Sequence, residues 1–281
     1  MLRSLVGGLA GLTALAAAAG AAPATAPATG QPALRVCAAA SQPPLSLRDG
    51  SGLENKVAAA VAAAMDRKVE FVWSDKPAIY LVRDFLDKKL CDVIAGLDTG
   101  DARVLTTRPY YRSGYVFISR QQDGLDVASW TDPRLKQVGH VAVPFGSPSE
   151  AMLKRIGRYE EDMAYLYSLV NFRSPRNQYT QIEPARLVEE VATGKAAIAA
   201  PFAPEVARFV KASPVPLRMT LIADDASRDG QKITMQFDQS MGVRRGDETL
   251  LKELEAGLAK AKPAIEAILK EEGVPTLPTG S

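Results

Sequence analysis

Histidine is nearly absent from this chain of 281 residues, which contains one, His140. The G-x-S-x-G, H-E-x-x-H, P-loop and G-x-G-x-x-G patterns are also missing, which excludes familiar signatures of hydrolases, metalloproteases and nucleotide-binding enzymes. His140 lies in the apolar stretch QVGHVAVP, so we interpret it as a packed or surface histidine of a strand rather than a general base. Because no residue is singled out for catalysis, we predict that the protein is not an enzyme and carries no cofactor.

An excess of either charge is lacking too. The chain has 34 Lys and Arg against 32 Asp and Glu, a formal net charge of +2. The two signs are interspersed, and no run of five like charges marks a basic patch or an acidic tail. We therefore expect no nucleic acid partner, since phosphate binding needs clustered positive charge.

Cysteine is scarce, with Cys37 and Cys91 as the two examples. Without nearby histidines they lack the four ligands that structural zinc requires, so we predict no metal site. In an oxidising compartment an even pair suggests a disulfide, and closing a loop of about 50 residues would stabilise the fold by about 4 kcal/mol in the chain-entropy model. Two buried free thiols are the alternative.

Long apolar runs are confined to the N-terminus, where Arg3 precedes SLVGGLAGLTALAAAAGAA. This run falls short of the roughly 20 residues of a membrane span, and small residues follow it, so we predict a secretory signal peptide at 1–24 whose removal leaves no membrane insertion. The proline-rich segment after it has no bulky apolar side chain, and we predict a disordered tether at 25–33. About 250 residues remain, with the composition of a soluble globular protein.

Strands and helices are predicted to alternate after the tether. LRVCAA, KVEFVW and CDVIAGL read as strands, separated by the helices GLENKVAAAVAAAM and AIYLVRDFLDKKL. The first helix has an apolar residue at every fourth position from Leu53 to Met65, and Ser51 with Glu54 forms a plausible capping box. This order is typical of a parallel sheet with crossover helices.

A second α/β unit begins at the strand GYVFISR. It continues through a turn or short helix in SWTDPRL, the strand QVGHVAVPF, a helix opened by Ser147 and Pro148, the helix EPARLVEEVATGK, the strand AAIAAPF and the helix PEVARFVKA. After the polar stretch 224–231, a strand and a helix with Leu250, Leu254 and Leu258 on one face return to the first sheet, followed by a last helix in PAIEAILKEEG. We predict a discontinuous lobe 1 (34–116 and 234–276), an inserted lobe 2 (117–233) and a tail (277–281).

This order of segments resembles the amino-acid-binding type of periplasmic solute-binding proteins, family 3. The resemblance is carried by GLENKVAAAVAAAMDRKVEFV, by KKLCDVIAGLDTGDARVLTTRPYY and by GVRRGDETLLKELEAGLAKAKPAIEAIL. It implies the type II periplasmic binding protein fold, with two α/β lobes joined by two crossovers and a ligand cleft between them. A narrower resemblance, in SDKPAIYLVRDFLDKKLCDV and FDQSMGVRRGD, is to MxaJ and XoxJ, the accessory proteins of pyrroloquinoline-quinone (PQQ) methanol dehydrogenases. Fold alone would not imply that partner.

In the amino-acid-binding relatives, an arginine in the loop after the third strand pairs with the ligand carboxylate, and the matching residue is Arg103. A guanidinium suits this task because its planar fork meets a carboxylate with two parallel hydrogen bonds. The helping hydroxyl expected three residues earlier is displaced, since that position is Gly100 and Thr99 stands one residue further away. The alternative for Arg103 is an ion pair with Asp98 or Asp101 that orders the loop.

The resemblance also implies backbone donors from lobe 2, which Gly146, Ser147 and Ser149 could supply at a helix start. Pro148 removes one donor. The acidic residue that holds the ligand's ammonium group in the relatives is missing from GKAAIAAPFAPE, where Ala and Pro stand instead. A bound amino acid would therefore leave a buried ammonium unpaired, at a cost of several kcal/mol.

Tyrosines cluster around the same strand ends, and they are Tyr80, Tyr110, Tyr111 and Tyr115. Core packing or hinge support is as good an explanation for them as ligand contact. The cleft could also serve as a docking groove for a partner, with Tyr110 and Tyr111 as anchors.

Three functions remain open from the sequence. The first is a non-enzymatic periplasmic accessory protein that binds a PQQ methanol dehydrogenase, of the calcium or the lanthanide type, and assists its assembly or activation. The second is a transport receptor for a small organic anion. The third is a dehydratase on the same fold, which would need a general acid facing the cleft, such as a carboxyl group with a raised pKa.

Overall fold

The structure is a computed structural model that describes residues 31–170, 181–226 and 232–280. The predicted signal peptide and most of the predicted tether lie outside these ranges. The strands of the described residues, in chain order, are β1 (Leu34–Ala39), β2 (Ser41–Gln42), β3 (Ser46–Leu47), β4 (Val69–Ser74), β5 (Val93–Asp98), β6 (Leu105–Thr106), β7 (Tyr111–Gly114), β8 (Val116–Arg120), β9 (His140–Ala142), β10 (Ala196–Ala199), β11 (Leu217–Leu221), β12 (Asp225–Ala226), β13 (Lys232–Ile233) and β14 (Gln236–Val243).

The α-helices are α1 (Leu53–Ala64), α2 (Pro148–Arg155), α3 (Tyr159–Ser168), α4 (Pro184–Ala192), α5 (Ala203–Lys211) and α6 (Glu248–Glu272). Single turns of 3₁₀-helix occur at Ala78–Tyr80, Gln121–Asp123 and Pro133–Lys136, and a π-helical turn occurs at Val82–Leu86.

The sheet of lobe 1 has the order β4-β1-β5-β14-β6, and β7 also pairs with β14. Strand β1 runs parallel to β4 and β5, whereas β14 runs antiparallel to β5, so the chain leaves this sheet and returns to it. Helices α1 and α6 cover the sheet with their apolar faces, which bury Val57, Val61 and Leu254. The Cys37–Cys91 disulfide, with Cα atoms 5.4 Å apart, joins β1 to the residues before β5, which confirms the predicted bridge.

The sheet of lobe 2 has the order β11-β8-β10-β9. Strand β8 runs antiparallel to β10 and β11, and β10 runs parallel to β9. Its core contains the fully enclosed Trp130, whose ring meets Phe117 edge-on at 4.9 Å between centroids. Aromatic pairs in this geometry add to the stabilisation from burial.

Two segments of the chain pass from one sheet to the other, and they lie side by side at Tyr115. The Tyr115 N–H donates to the Met235 carbonyl at 2.8 Å, and the Ile222 N–H donates to the Tyr115 carbonyl at 3.0 Å. A side chain at Gly114 would approach the Met235 carbonyl to 2.8 Å, so the close passage of the two crossings requires glycine there. This confirms the predicted two-lobe α/β architecture, while the exact lobe boundaries stay a prediction.

Several local predictions are wrong. Ser51 and Glu54 form no capping box, because α1 begins after Gly52 without a side-chain cap and the Glu54 side chain packs against Gly96 instead. The helix expected after Pro77 is reduced to a 3₁₀ turn and a π turn that ends at Leu86, and Lys89, three residues later, has a positive φ.

The two C-terminal helices are one, α6, with Pro263 inside it. A proline inside a helix costs about 3 kcal/mol. The helix nevertheless continues, and its buried side chains include Leu254, Leu258, Ile265 and Leu269.

Helix α3 was not predicted at all. It buries Asp162 and Leu166 alone, so its sequence lacks an apolar stripe.

Candidate functional site

Arg103 lies in the loop between β5 and β6 and pairs with Asp101. Its Nη2 is 2.6 Å from Asp101 Oδ2, its Nε is 3.0 Å from Oδ1, and Oδ1 also accepts the Arg103 backbone N–H at 2.9 Å. These hydrogen bonds raise the pKa of Arg103 and lower that of Asp101. The Arg103 guanidinium is thus hydrogen-bonded to Asp101 of the same loop. This is the ion pair that the sequence analysis gives as the alternative to ligand binding.

Neighbouring groups of this loop are bound to β14. Thr99 Oγ1 lies 2.6 Å from Ser240 Oγ and donates to the Asp238 carbonyl at 3.1 Å. Asp98 accepts a hydrogen bond from Gln239 Nε2 at 2.6 Å. The loop is therefore fixed to its own sheet by side-chain contacts.

The start of α2, where backbone donors for an anion were expected, is neutralised by its own side chains. Ser147 accepts the Glu150 N–H at 3.2 Å and donates to the Pro144 carbonyl at 2.6 Å. Glu150 Oε2 accepts the Gly146 N–H at 2.6 Å. Ser149 is fully buried. A carboxylate at a helix N-terminus satisfies both the free N–H group and the helix dipole, so an incoming anion would have to displace Glu150.

The predicted tyrosines do not meet in one place. Tyr80 stacks near the guanidinium of Arg83, 5.0 Å from the ring centroid. The Tyr110 hydroxyl accepts the Gly96 N–H at 3.1 Å, and Tyr111 is buried beside it with ring centroids 5.2 Å apart. Both line a groove of about 590 Å³ between α6 and the C-terminal residues. Burial raises the pKa of both hydroxyls.

A cavity of about 460 Å³ lies between the two lobes. Lobe 1 contributes Gln42 and Ile79 to its wall, lobe 2 contributes Phe145 and Ser147, and Tyr115 lies at the crossing. Of the residues predicted for a ligand or partner cleft, Ser147 lines this cavity, whereas Thr99, Asp101, Arg103, Tyr80, Tyr110, Tyr111 and Ser149 do not. Their role in binding stays a prediction.

Two carboxylates near this cavity were missed by the sequence analysis. Glu205, in the first turn of α5, lines the cavity. Glu54, in the first turn of α1, lies close enough to Glu205 for their negative charges to repel each other. Among the described residues, neither carboxylate has a hydrogen bond or an ion pair. Burial raises the pKa of Glu205 to about 7, and burial together with the charge of Glu205 raises the pKa of Glu54 to about 8.

A signal for Glu205 was present in the sequence. The acidic residue is expected in GKAAIAAPFAPE, where Ala and Pro stand in place of an Asp, and Glu205 is the last residue of that same stretch. Glu54 was assigned to a capping box, and no sequence pattern distinguishes that role from a place near a cavity.

The lone histidine, His140, does not line the cavity. His140 Nδ1 lies 2.9 Å from Asp162 Oδ1, and its ring stacks on Tyr165 at 4.1 Å between centroids. In the three described ranges, no group of three or more His, Cys, Asp or Glu side chains is arranged to hold a metal ion. No helix in those ranges combines the length and the apolar character needed to cross a membrane.

Comparisons with known proteins agree on one family. The profile of the bacterial extracellular solute-binding proteins, family 3, matches residues 34–270. Protein MoxJ of Methylorubrum extorquens AM1 is 66% identical over 249 residues, which cover 88% of this chain and 83% of that protein. The crystal structure of MxaJ from Methlophaga aminisulfidivorans MPT has a TM-score of 0.83 at 49% identity, covering 87% of this chain and 100% of that one. The crystal structure of the periplasmic binding protein XoxJ from Methylobacterium extorquens AM1 has a TM-score of 0.62 at 28% identity, covering 87% and 99%.

Proposed function

We propose a function for this chain on the premise that it belongs to the bacterial extracellular solute-binding proteins of family 3, in the group that contains the MoxJ proteins. The chain acts in the periplasm as an accessory protein of methanol oxidation. It binds a PQQ methanol dehydrogenase, of the calcium or the lanthanide type, and assists its assembly or activation without catalysing a reaction itself.

The observation that carries this proposal is the 66% identity to MoxJ over 88% of the chain. Identity of this extent includes surface loops and not merely the buried positions that a shared fold preserves, and partner contacts are made by surface residues. The MxaJ structure supports it, because its whole length superposes on this chain.

The geometry of the Arg103 loop and of the start of α2 supports a role other than uptake of a small organic anion. The guanidinium of Arg103 is engaged by Asp101, and the Gly146 N–H by Glu150. An anion would have to displace Asp101 in the Arg103 loop or Glu150 at the start of α2, and within the cavity it would lie near a further acidic group, Glu205. Like charges in a partly enclosed site disfavour binding strongly.

A second candidate, the dehydratase, is favoured by one observation. Glu205 faces the cavity with a pKa of about 7, so a large share of the group is protonated at neutral pH and could act as a general acid. Turnover of cyclic hydroxy acids by the purified chain, abolished in Glu205→Gln, would support this candidate. Its absence would leave the accessory role.

A pull-down from periplasm of methanol-grown cells tests the proposed function. The tagged mature chain should retain the methanol dehydrogenase, and a strain that lacks the gene should show reduced dehydrogenase activity on methanol. A tagged family 3 solute-binding protein for an amino acid serves as the matched control. Full dehydrogenase activity in the deletion strain, with no dehydrogenase retained by the chain, would refute the proposal.

A further inference from the structure

Helix α5 of lobe 2 lies against the start of α1 of lobe 1. Arg208 of α5 donates from Nη2 to the Ser51 carbonyl at 2.7 Å, just before α1 begins, and Ala207 is completely buried in the core of lobe 1. Glu205 lies one turn before Arg208 on α5, and Glu54 lies in the first turn of α1. The two carboxyl groups therefore approach each other from opposite lobes, and the charge of Glu205 acts on Glu54.

Glu54 is confined between α1 and β5. Gly96 of β5 has a positive φ, and a side chain added there would collide with the Glu54 carboxyl group. The Tyr110 hydroxyl accepts the Gly96 N–H at 3.1 Å. Glycine thus leaves the space that the Glu54 carboxyl group occupies, and the lobe 1 side of this space is filled.

The cations on these two helices are engaged elsewhere. Arg208 and Lys56 both bind Glu272, and Lys211 donates to the Glu271 carbonyl at 2.6 Å. Neither of the two facing carboxyl groups has a hydrogen bond or an ion pair with another described residue. Their negative charges are therefore not compensated within the described part of the chain.

The other titratable groups around the pair are neutral or acidic. Burial, together with the nearby carboxylates, raises the pKa of the hydroxyls of Tyr110, Tyr111 and Tyr115, so these groups stay neutral. Asp98, near the same tyrosines, accepts a hydrogen bond from Gln239. Ionisation of both glutamates thus places two like charges in a poorly hydrated space, where their repulsion is stronger than in water.

We propose that Glu54 and Glu205 form a pH-sensitive repulsive pair that sets the separation of the two lobes. The lobes stay in contact here while the carboxyl groups are protonated, and ionisation of both drives them apart by rotation about the connecting segments at Tyr115. Arg208 opposes the separation through its bonds to Glu272, so the response is a shift in population between a closer and a wider arrangement. The inference goes beyond the proposed function and does not rest on it.

The pH range of the response follows from the environment of the pair. Burial raises the pKa of Glu205 to about 7, and burial together with the charge of Glu205 raises the pKa of Glu54 to about 8. Both groups are thus mostly protonated at about pH 5.5 and ionised at about pH 9.5. Because both pKa values are raised, the closer arrangement is stable at the lower pH and loses stability as the pH rises.

A distance measurement by electron paramagnetic resonance tests the inference. Spin labels at Ser41→Cys of lobe 1 and Gln181→Cys of lobe 2 occupy exposed positions on opposite walls of the cavity and change no charge. The native cysteines are joined in a disulfide and take no label. The mean label distance should be longer at about pH 9.5 than at about pH 5.5. Circular dichroism at both pH values checks that the chain stays folded.

Three variants separate repulsion between the two groups from an effect of either group alone. Glu54→Gln and Glu205→Gln each remove one charge, so either one should abolish most of the lengthening, and the double variant should add nothing further. Both single variants should be more stable than the wild type at high pH, so a lost response would not be a folding defect. Glu248→Gln, exposed in the first turn of α6, is the matched control and should respond like the wild type.

The outcomes that contradict the inference are distinct. An equal label distance at the two pH values, or a shorter one at the higher pH, overturns it. A lengthening that Glu54→Gln or Glu205→Gln retains also overturns it, because one group would then act without the other. A failed pull-down with an intact pH response would overturn the proposed function alone.

Discussion

Glu205 and Arg208 lie one turn apart in α5, yet their surroundings are opposite. Arg208 crosses the boundary between the lobes and binds Glu272 of α6 with two bonds, Nε–Oε2 at 2.6 Å and Nη2–Oε1 at 2.8 Å. Arg208 Nη2 also donates to the Ser51 carbonyl at 2.7 Å, and Lys56 binds Glu272 at 2.8 Å. Glu205 faces the cavity without a partner among the described residues.

The difference teaches that one helix of lobe 2 both joins the lobes and leaves a charge unpaired. Between Glu205 and Arg208, Ala207 is completely buried and packs into the core of lobe 1. Apolar packing and a partly buried ion pair therefore hold this side of the boundary together. The unpaired carboxylate of Glu205 lies on the other side of the boundary, where it lines the cavity.

The largest effect is expected from breaking the paired side with Glu272→Gln. Glu272 is 5% exposed, and its loss leaves Arg208 and Lys56 without their shared anion. Removing one partner of a buried pair costs about 3–5 kcal/mol, which urea unfolding would measure. Glu255→Gln, which disturbs an exposed pair with Arg108, should cost less than about 1 kcal/mol and is the control.

The pH dependence of this effect has a defined sign. Burial alone would raise the pKa of Glu272, but hydrogen bonds from Arg208 and Lys56 outweigh it and hold the pKa below its usual 4.5. The stabilisation is therefore complete above about pH 4.5 and is lost as the pH falls through the lower, folded-state pKa. A gap between wild type and Glu272→Gln that stays constant down to pH 2 would contradict the pairing.

An intermediate effect of opposite sign is expected on the unpaired side. The folded-state pKa of Glu54, about 8, lies above its ordinary 4.5, so stability should decrease as the pH rises between these values and stay low above them. Glu54→Gln should therefore stabilise the chain by about 2 kcal/mol at pH 9 and have almost no effect at pH 4. Glu205→Gln should act in the same direction but less strongly, since its pKa is about 7. Thermal unfolding between pH 4 and 9 would measure both, and destabilisation at pH 9 would contradict the assignment.

The smallest effect is expected at Arg103. Its side chain is 48% exposed and pairs with a residue two positions away, so Arg103→Gln should change the free energy of unfolding by less than about 1 kcal/mol. Arg103→Lys, which keeps the charge and loses the fork, is the matched variant. A loss of several kcal/mol in urea unfolding would show that the loop has a larger structural role.

The fold was largely predictable because its signals are local. The stripe from Leu53 to Met65 and the cap formed by Ser147 and Pro148 each gave a helix at the right place. The misses have local causes as well: α3 lacks an apolar stripe, and Pro263 suggested a helix end where packing on lobe 1 continues the helix.

The candidate site was predictable in part. The alternative pairing of Arg103 with Asp101 is what the structure shows, since two residues of one tight turn meet whatever the rest of the chain does. Glu205 was missed because its significance depends on Tyr115, Phe145 and Glu54, which are far from it in sequence and come near it once the lobes are assembled.

The sequence by itself determined the order of strands and helices, the oxidisable cysteine pair and the family, because periodicity, composition and segment order are properties of neighbouring residues. Tertiary structure alone decided which charges are paired. Arg208 finds Glu272 across the lobe boundary, whereas Glu205, on the same helix, finds an apolar cavity. Coulomb interactions depend on distance in space and on how much water remains between the groups, and both are set when the two lobes pack together.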